Sequence, residues 1–175
     1  MAVLYEVTTH YGIRYYKEGS DTSSEQVERH AAETIDNAIR NTQEQITGTI
    51  YSVSVPVPGI DVGVSDEVPL WAAPGDCTLE SICFIPKSMI TGADTDYFTL
   101  SVLDKGNTGT GTDEIVSLAF PLGVDAAAFT AKGLGTLSET HKILAQGDVI
   151  SFKKAESGSG MALPDLVCVI EYKLI

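Results

Sequence analysis

The chain has 175 residues, 43% hydrophobic and 20% charged, with a formal net charge of −13 from 24 acidic and 11 basic side chains. That leaves room for one domain with a real core plus an extension, and it excludes disorder across the whole chain. The acidic excess argues against direct binding to nucleic acid or to an anionic membrane, because both are held through clustered lysine and arginine.

The N-terminal run Met1-Ala2-Val3-Leu4-Tyr5-Glu6 has no basic region followed by an apolar stretch, so no signal peptide is expected. No segment approaches the ~20 apolar residues that span a bilayer. Residues 1–20 hold Tyr5, Tyr11, Tyr15 and Tyr16, four of the seven tyrosines, with Val3, Leu4, Val7 and Ile13. Such a segment is too short for its own core and too apolar for a free tail. Tyrosine gives contact area at low entropic cost, so the segment reads as an arm that docks on a partner. The alternative is a strand packed on its own domain.

Residues 23–46 read as a helix. Ser23 stands as N-cap with Gln26 three residues on, and Glu25 and Glu28 suit the positive end of the helix dipole. Apolar or small residues recur at Val27, Ala31, Ile35, Ala38, Thr42 and Ile46, a narrow stripe on a polar helix, and Ile39 adjoins it as a contact residue. Gly48 ends the helix. The stripe fits either a partner chain, a three-stranded coil included, or the surface of the chain's own sandwich. Residues 48–63 alternate from Ile50 to Val57, but Pro56 and Pro58 forbid a central strand. They read as an extended connector or an edge strand, which sets three parts: 1–47 arm and helix, 48–63 connector, 64–175 sandwich.

Short strand signals follow at residues 67–72, 77–85, 97–103, 114–120, 135–137, 141–144, 148–153 and 166–174, separated by glycine, proline and aspartate turns. With no second helix, this pattern gives a mainly β fold: an antiparallel, jelly-roll-like β-sandwich with an extended N-terminal arm and one α-helix.

Residues that carry chemistry are scattered. His10, His30 and His141 have no partner at motif spacing, and no Gly-x-Ser-x-Gly elbow surrounds a serine. The glycine-rich run from Gly106 to Thr112 lacks the lysine of a phosphate loop and reads as a hairpin loop. Asp94, Asp96, Asp113 and Glu114 do not match a calcium loop and read as turn residues. Cys77, Cys83 and Cys168 are odd in number and alternate with apolar neighbours, as small core residues of a protein folded in a reducing cytoplasm do. Trp71, the only tryptophan, reads as a core or interface anchor. No catalytic residue, cofactor or metal site is expected. The residues expected to bind protein are Tyr5, Tyr11, Ile13, Tyr15, Tyr16, Val27, Ile35, Ile39 and Trp71.

Three landmarks in the C-terminal part carry a resemblance. They are Val68-Pro-Leu-Trp-Ala-Ala-Pro-Gly-Asp-Cys-Thr-Leu-Glu-Ser-Ile-Cys-Phe-Ile-Pro86, then Tyr97-Phe-Thr-Leu-Ser-Val-Leu-Asp-Lys-Gly106 with Gly109-Thr-Gly-Thr112, and Leu144-Ala-Gln-Gly-Asp-Val-Ile-Ser-Phe152 followed by Gly158-Ser-Gly-Met-Ala-Leu-Pro164. Together they resemble decoration (cement) and head-fiber proteins of tailed bacteriophages. The resemblance implies a jelly-roll-like domain, often trimeric, on the outer face of the virion capsid, made in the host cytoplasm. Its implied partners are the major capsid protein and further copies of itself, trimer ahead of dimer, and its implied role is to bridge neighbouring capsomers. A fiber component that binds host glycans is the alternative. Residues 1–47 lie outside the resemblance.

Overall fold

The computed structural model describes residues 5–7, 14–16 and 24–175, with side chains described for 31–42 and 48–175. The chain forms two compact units, Met1–Gly48 and Thr49–Ile175.

In the first unit, β1 (Tyr5–Val7) pairs antiparallel with β2 (Arg14–Tyr16), placing Tyr5 opposite Tyr16 and Glu6 opposite Tyr15. The arm is thus a short hairpin at these residues rather than one extended strap. Helix α1 spans Ser24–Gly48, two residues beyond the C-terminal end read from the sequence. The capping residue Ser23 lies outside the described residues. All described side chains from residue 31 to 42 are exposed.

The second unit is an antiparallel sandwich. Its strands are β3 (Ile50–Val57), β4 (Asp66–Ala72), β5 (Cys77–Pro86), β6 (Tyr97–Gly106), β7 (Asp113–Ala119), β8 (Lys132–Gly133), β9 (Ile143–Leu144), β10 (Val149–Ser157) and β11 (Leu166–Leu174). One sheet has the order β4-β10-β6-β7, and the other β3-β11-β5-β8 with β9 also on β5. Successive strands change sheet at every step except the β6–β7 hairpin and the β8–β9 pair, both of which line the same edge of β5. With β8 and β9 counted as one interrupted strand, this is the eight-stranded double Greek key of a jelly roll.

Two differences from the sequence reading follow. Of the two readings of residues 48–63 the edge strand holds and the separate connector does not: Ile50–Val57 is β3, at the sheet edge beside β11, so the boundary falls after Gly48. An edge strand has one side without ladder partners, which is why Pro56 is tolerated within it. No strand forms over 135–137; the strand here is Lys132–Gly133. The bend between β8 and β9 carries Gly135 at φ 129, a backbone angle that favours glycine.

The core lies between the sheets. Leu79, Ile82, Phe84, Cys168 and Ile170 from one face Phe98, Leu100, Val102, Ile150 and Phe152 from the other. Strict alternation would continue Ile150 and Phe152 with the next inward position, and that residue is Lys154, fully buried. Its Nζ donates to the carbonyls of Asp61 (2.9 Å) and Val64 (3.0 Å), pairs with the Glu156 carboxylate, and lies 5.6 Å from the Phe98 ring centroid. Glu156 also accepts from the Met161 amide at 3.1 Å. A buried charge persists only when paired and hydrogen-bonded, and here the lysine ties the β3–β4 loop to the end of β10.

Cys77 and Cys168 are core residues, and Cys83 is a half-buried residue of β5. Burial, with Asp76 and Asp148 nearby, pushes the Cys77 thiol up to about 11, and burial pushes Cys168 up to about 12. Cys83 is raised mainly by burial as well. Because the thiolate is the nucleophile, roughly one Cys77 in a thousand is reactive at pH 8. The native protein should therefore consume far less than three equivalents of Ellman's reagent within minutes, and three once unfolded. Rapid labelling of all three in the native state would contradict this packing.

Candidate interaction surfaces

Both sheets of the sandwich carry paired polar side chains, Ser81 with Glu171 and Lys173 with Glu80 on β5 and β11 among them, and that second sheet adds an apolar groove. On the β4-β10-β6-β7 face, polar side chains satisfy one another. Ser151 Oγ donates to Glu67 (2.7 Å), Lys105 lies 3.0 Å from the same carboxylate, and Glu114 accepts from Ser101 (3.2 Å) and Ser117 (2.7 Å). The Ser151 hydrogen bond, with Lys105 beside it, holds the Glu67 carboxyl below its ordinary value of 4.5. A partner would have to break these bonds to dock here.

The other face carries an apolar groove of about 570 Å³, lined in part by Pro56, Pro58, Ile85, Phe129 and Val167. Phe129 is 79% exposed and holds a φ of 55°, with its amide donating to the Pro86 carbonyl at 2.8 Å. An exposed aromatic residue in the left-handed region is unusual, since it carries backbone strain that the surroundings must hold in place. Asp165 closes the groove: its Oδ1 accepts from the Gly59 amide at 2.8 Å and its Oδ2 from Lys87 at 3.2 Å, and these lower its carboxyl from the ordinary 3.8. This groove was not legible beforehand. Ala126-Ala-Ala-Phe129 has no periodicity, and only the register that puts Val167 beside Pro56 and Ile85 assembles it.

The residues expected to bind protein fall in different places. Tyr5, Tyr15 and Tyr16 lie in the hairpin; Tyr11 and Ile13 lie outside the described residues. Val27 is in α1, with its side chain outside the described set. Ile35 and Ile39 are exposed by 58% and 51% and line one shallow groove with Ala38 and Thr42. Trp71 takes the core option: it packs on the core with its ring 4.7 Å from Tyr172, which in turn stacks on Tyr51 at 5.5 Å.

The turn residues do what their chemistry suggests. Asp96 accepts from the Ser159 amide (2.6 Å), and Gly106 and Gly109 both take positive φ in the β6–β7 loop. His141 Nδ1 lies 3.8 Å from Asp113, a partner from a distant part of the sequence. Among the described residues no group of three histidine, cysteine or carboxylate side chains is placed to hold a metal ion. No described helix is long and apolar enough to cross a membrane.

No protein-family model and no curated protein matches this sequence. Among solved structures, the chain is similar to chains from particles of infectious bursal disease virus. Against the Gx strain structure, identity is 10% over 73% of this chain and 36% of that chain, with a TM-score of 0.33. The Gt strain gives 8% over 74% and 37%, also at 0.33. The VP2 subviral particle gives 11% over 73% and 37%, again at 0.33. The chain spans about a third of the length of these proteins.

Proposed function

We propose that this chain is a non-enzymatic structural protein of a tailed-phage virion. In this reading it binds the outer surface of the capsid, bridges neighbouring capsomers and assembles with further copies of itself. The observation that carries it is the jelly roll whose sheets carry paired polar side chains, with the Pro56–Phe129–Val167 groove on one of them. Jelly rolls recur in capsid, lectin and cupin domains, so the fold alone admits several roles. The three landmarks between Val68 and Pro164 resemble decoration proteins and select among them.

The first unit supports the same reading. A two-stranded hairpin of three-residue strands is marginal alone in water, so β1 and β2 need a partner surface to stay ordered. Many copies on a lattice add avidity, so each contact can be modest.

Cosedimentation with emptied capsids that lack tails tests this. The full chain should pellet with them, whereas a fiber component attached at the tail should stay in the supernatant. Deleting residues 1–20 should leave the sandwich folded and weaken capsid binding at least tenfold. Equal binding by the truncated chain would remove the arm from the capsid contact.

A further inference from the structure

Helix α1 carries a second periodicity, hidden by the stripe read first. Ala32, Ile35, Ile39, Thr42 and Ile46 recur at steps of three, four, three and four, the spacing of coiled-coil a and d positions. The groove on its surface is bounded by Ile35, Ala38, Ile39 and Thr42, which are residues i, i+3, i+4 and i+7. Those four positions form the hole that receives an a-position knob from a parallel neighbouring helix. The knob at the matching level of a second copy is Ile39 itself. Thr42 fits an apolar layer because its hydroxyl is already satisfied, donating to the Ala38 carbonyl at 2.8 Å.

We propose that α1 is a parallel, in-register, three-stranded self-association helix, each copy seating Ile39 in the Ile35–Ala38–Ile39–Thr42 hole of the next. This deepens the self-assembly named above and rests on it. Area selects the number of strands. The repeat from Ala32 to Ile46 is roughly 22 Å long and about 10 Å across, so one seam buries on the order of 450 Å² counting both partners. That falls far short of the ~1,200 Å² of a stable interface, which three seams reach at about 1,350 Å². Isoleucine at both a (Ile39, Ile46) and d (Ile35) also favours three strands over two. Within the apolar repeat the flanking g positions Ala31 and Ala38 stand opposite the neighbour's Asp36 and Gln43, whereas the same register would place Glu25 and Glu28 at a and d, so the coil is confined to residues 32–46.

Sedimentation equilibrium on the full chain tests the proposal. Wild type should have three times the mass of one chain. The variant carrying Ile35→Ser and Ile39→Ser should fall to a single chain, with its β circular dichroism and sandwich unfolding transition unchanged. Thr42→Cys tests orientation without disturbing the apolar residues. Oxidation should link two copies at this position, because only the parallel register brings the two sulfurs together. An antiparallel pairing about the helix centre would leave them about 18 Å apart, beyond disulfide reach. The wild-type chain, with its three native cysteines, is the control and should not cross-link. A monomeric wild type would overturn both self-assembly and the coil. A trimer that survives the double substitution, or a Thr42→Cys chain that does not cross-link, would overturn the coil alone.

Discussion

Replacing Lys154 by methionine should destabilise the sandwich by about 3–5 kcal/mol, the expected cost of breaking a buried ion pair from one side. The side chain is fully buried, so the loss is not screened by solvent. Methionine fills the volume but leaves the Glu156 carboxylate, only 10% exposed, without its cation. It also leaves the Asp61 and Val64 carbonyls without a donor. Each orphaned polar group costs roughly 1–3 kcal/mol. Urea unfolding monitored by circular dichroism reads the change as a lower midpoint. Adding Glu156→Gln should restore part of the loss, because the uncompensated charge goes while the Met161 amide keeps an acceptor. A loss below about 1 kcal/mol would mean that the pair contributes little beyond volume.

Lys154 also shows where the sequence stopped being legible. The strand signal with Val149, Ile150 and Phe152 spans residues 148–153, where the apolar alternation stops. The strand runs on to Ser157, and its inward alternation passes through the lysine. A pattern of apolar residues cannot register a lysine held by backbone carbonyls 90 and 93 positions away, with its carboxylate partner two residues on. The fold class was legible because turn residues and alternation are local, and seven of the eight strand signals overlap observed strands. The signal at 135–137 failed because Leu134 and Leu137 are buried from a loop rather than a ladder. Ile35 and Ile39 stand exposed and Trp71 packs partly buried against the core, one of the two places its type allows, while the Phe129 groove depends on a cross-strand register that no local window contains.

Phe120→Ala should cost the sandwich about 3–5 kcal/mol, a large part of the 5–15 kcal/mol that holds an ordinary domain together. Phe120 follows β7, where the chain leaves one sheet for the other, and it is fully buried. Its ring lies 5.1 Å from Phe98 of one sheet and 6.1 Å from Phe84 of the other, so it fills the space where the two layers meet. Its backbone is fixed as well: the amide donates to the Phe98 carbonyl at 3.0 Å and its carbonyl accepts from Ala93 at 3.2 Å. The site is therefore poorly able to collapse around a smaller residue, which places the cost toward the upper end of the range. Phe120→Leu, which keeps most of the volume, should cost less than half as much. Phe98 touches both this ring and the Lys154 ammonium. The Phe120→Ala and Lys154→Met losses should for that reason not add: a double-mutant cycle should give a coupling of about 0.5 kcal/mol or more. Strict additivity would show that the aromatic cluster and the buried ion pair stabilise the sandwich independently, and that Phe98 does not join them.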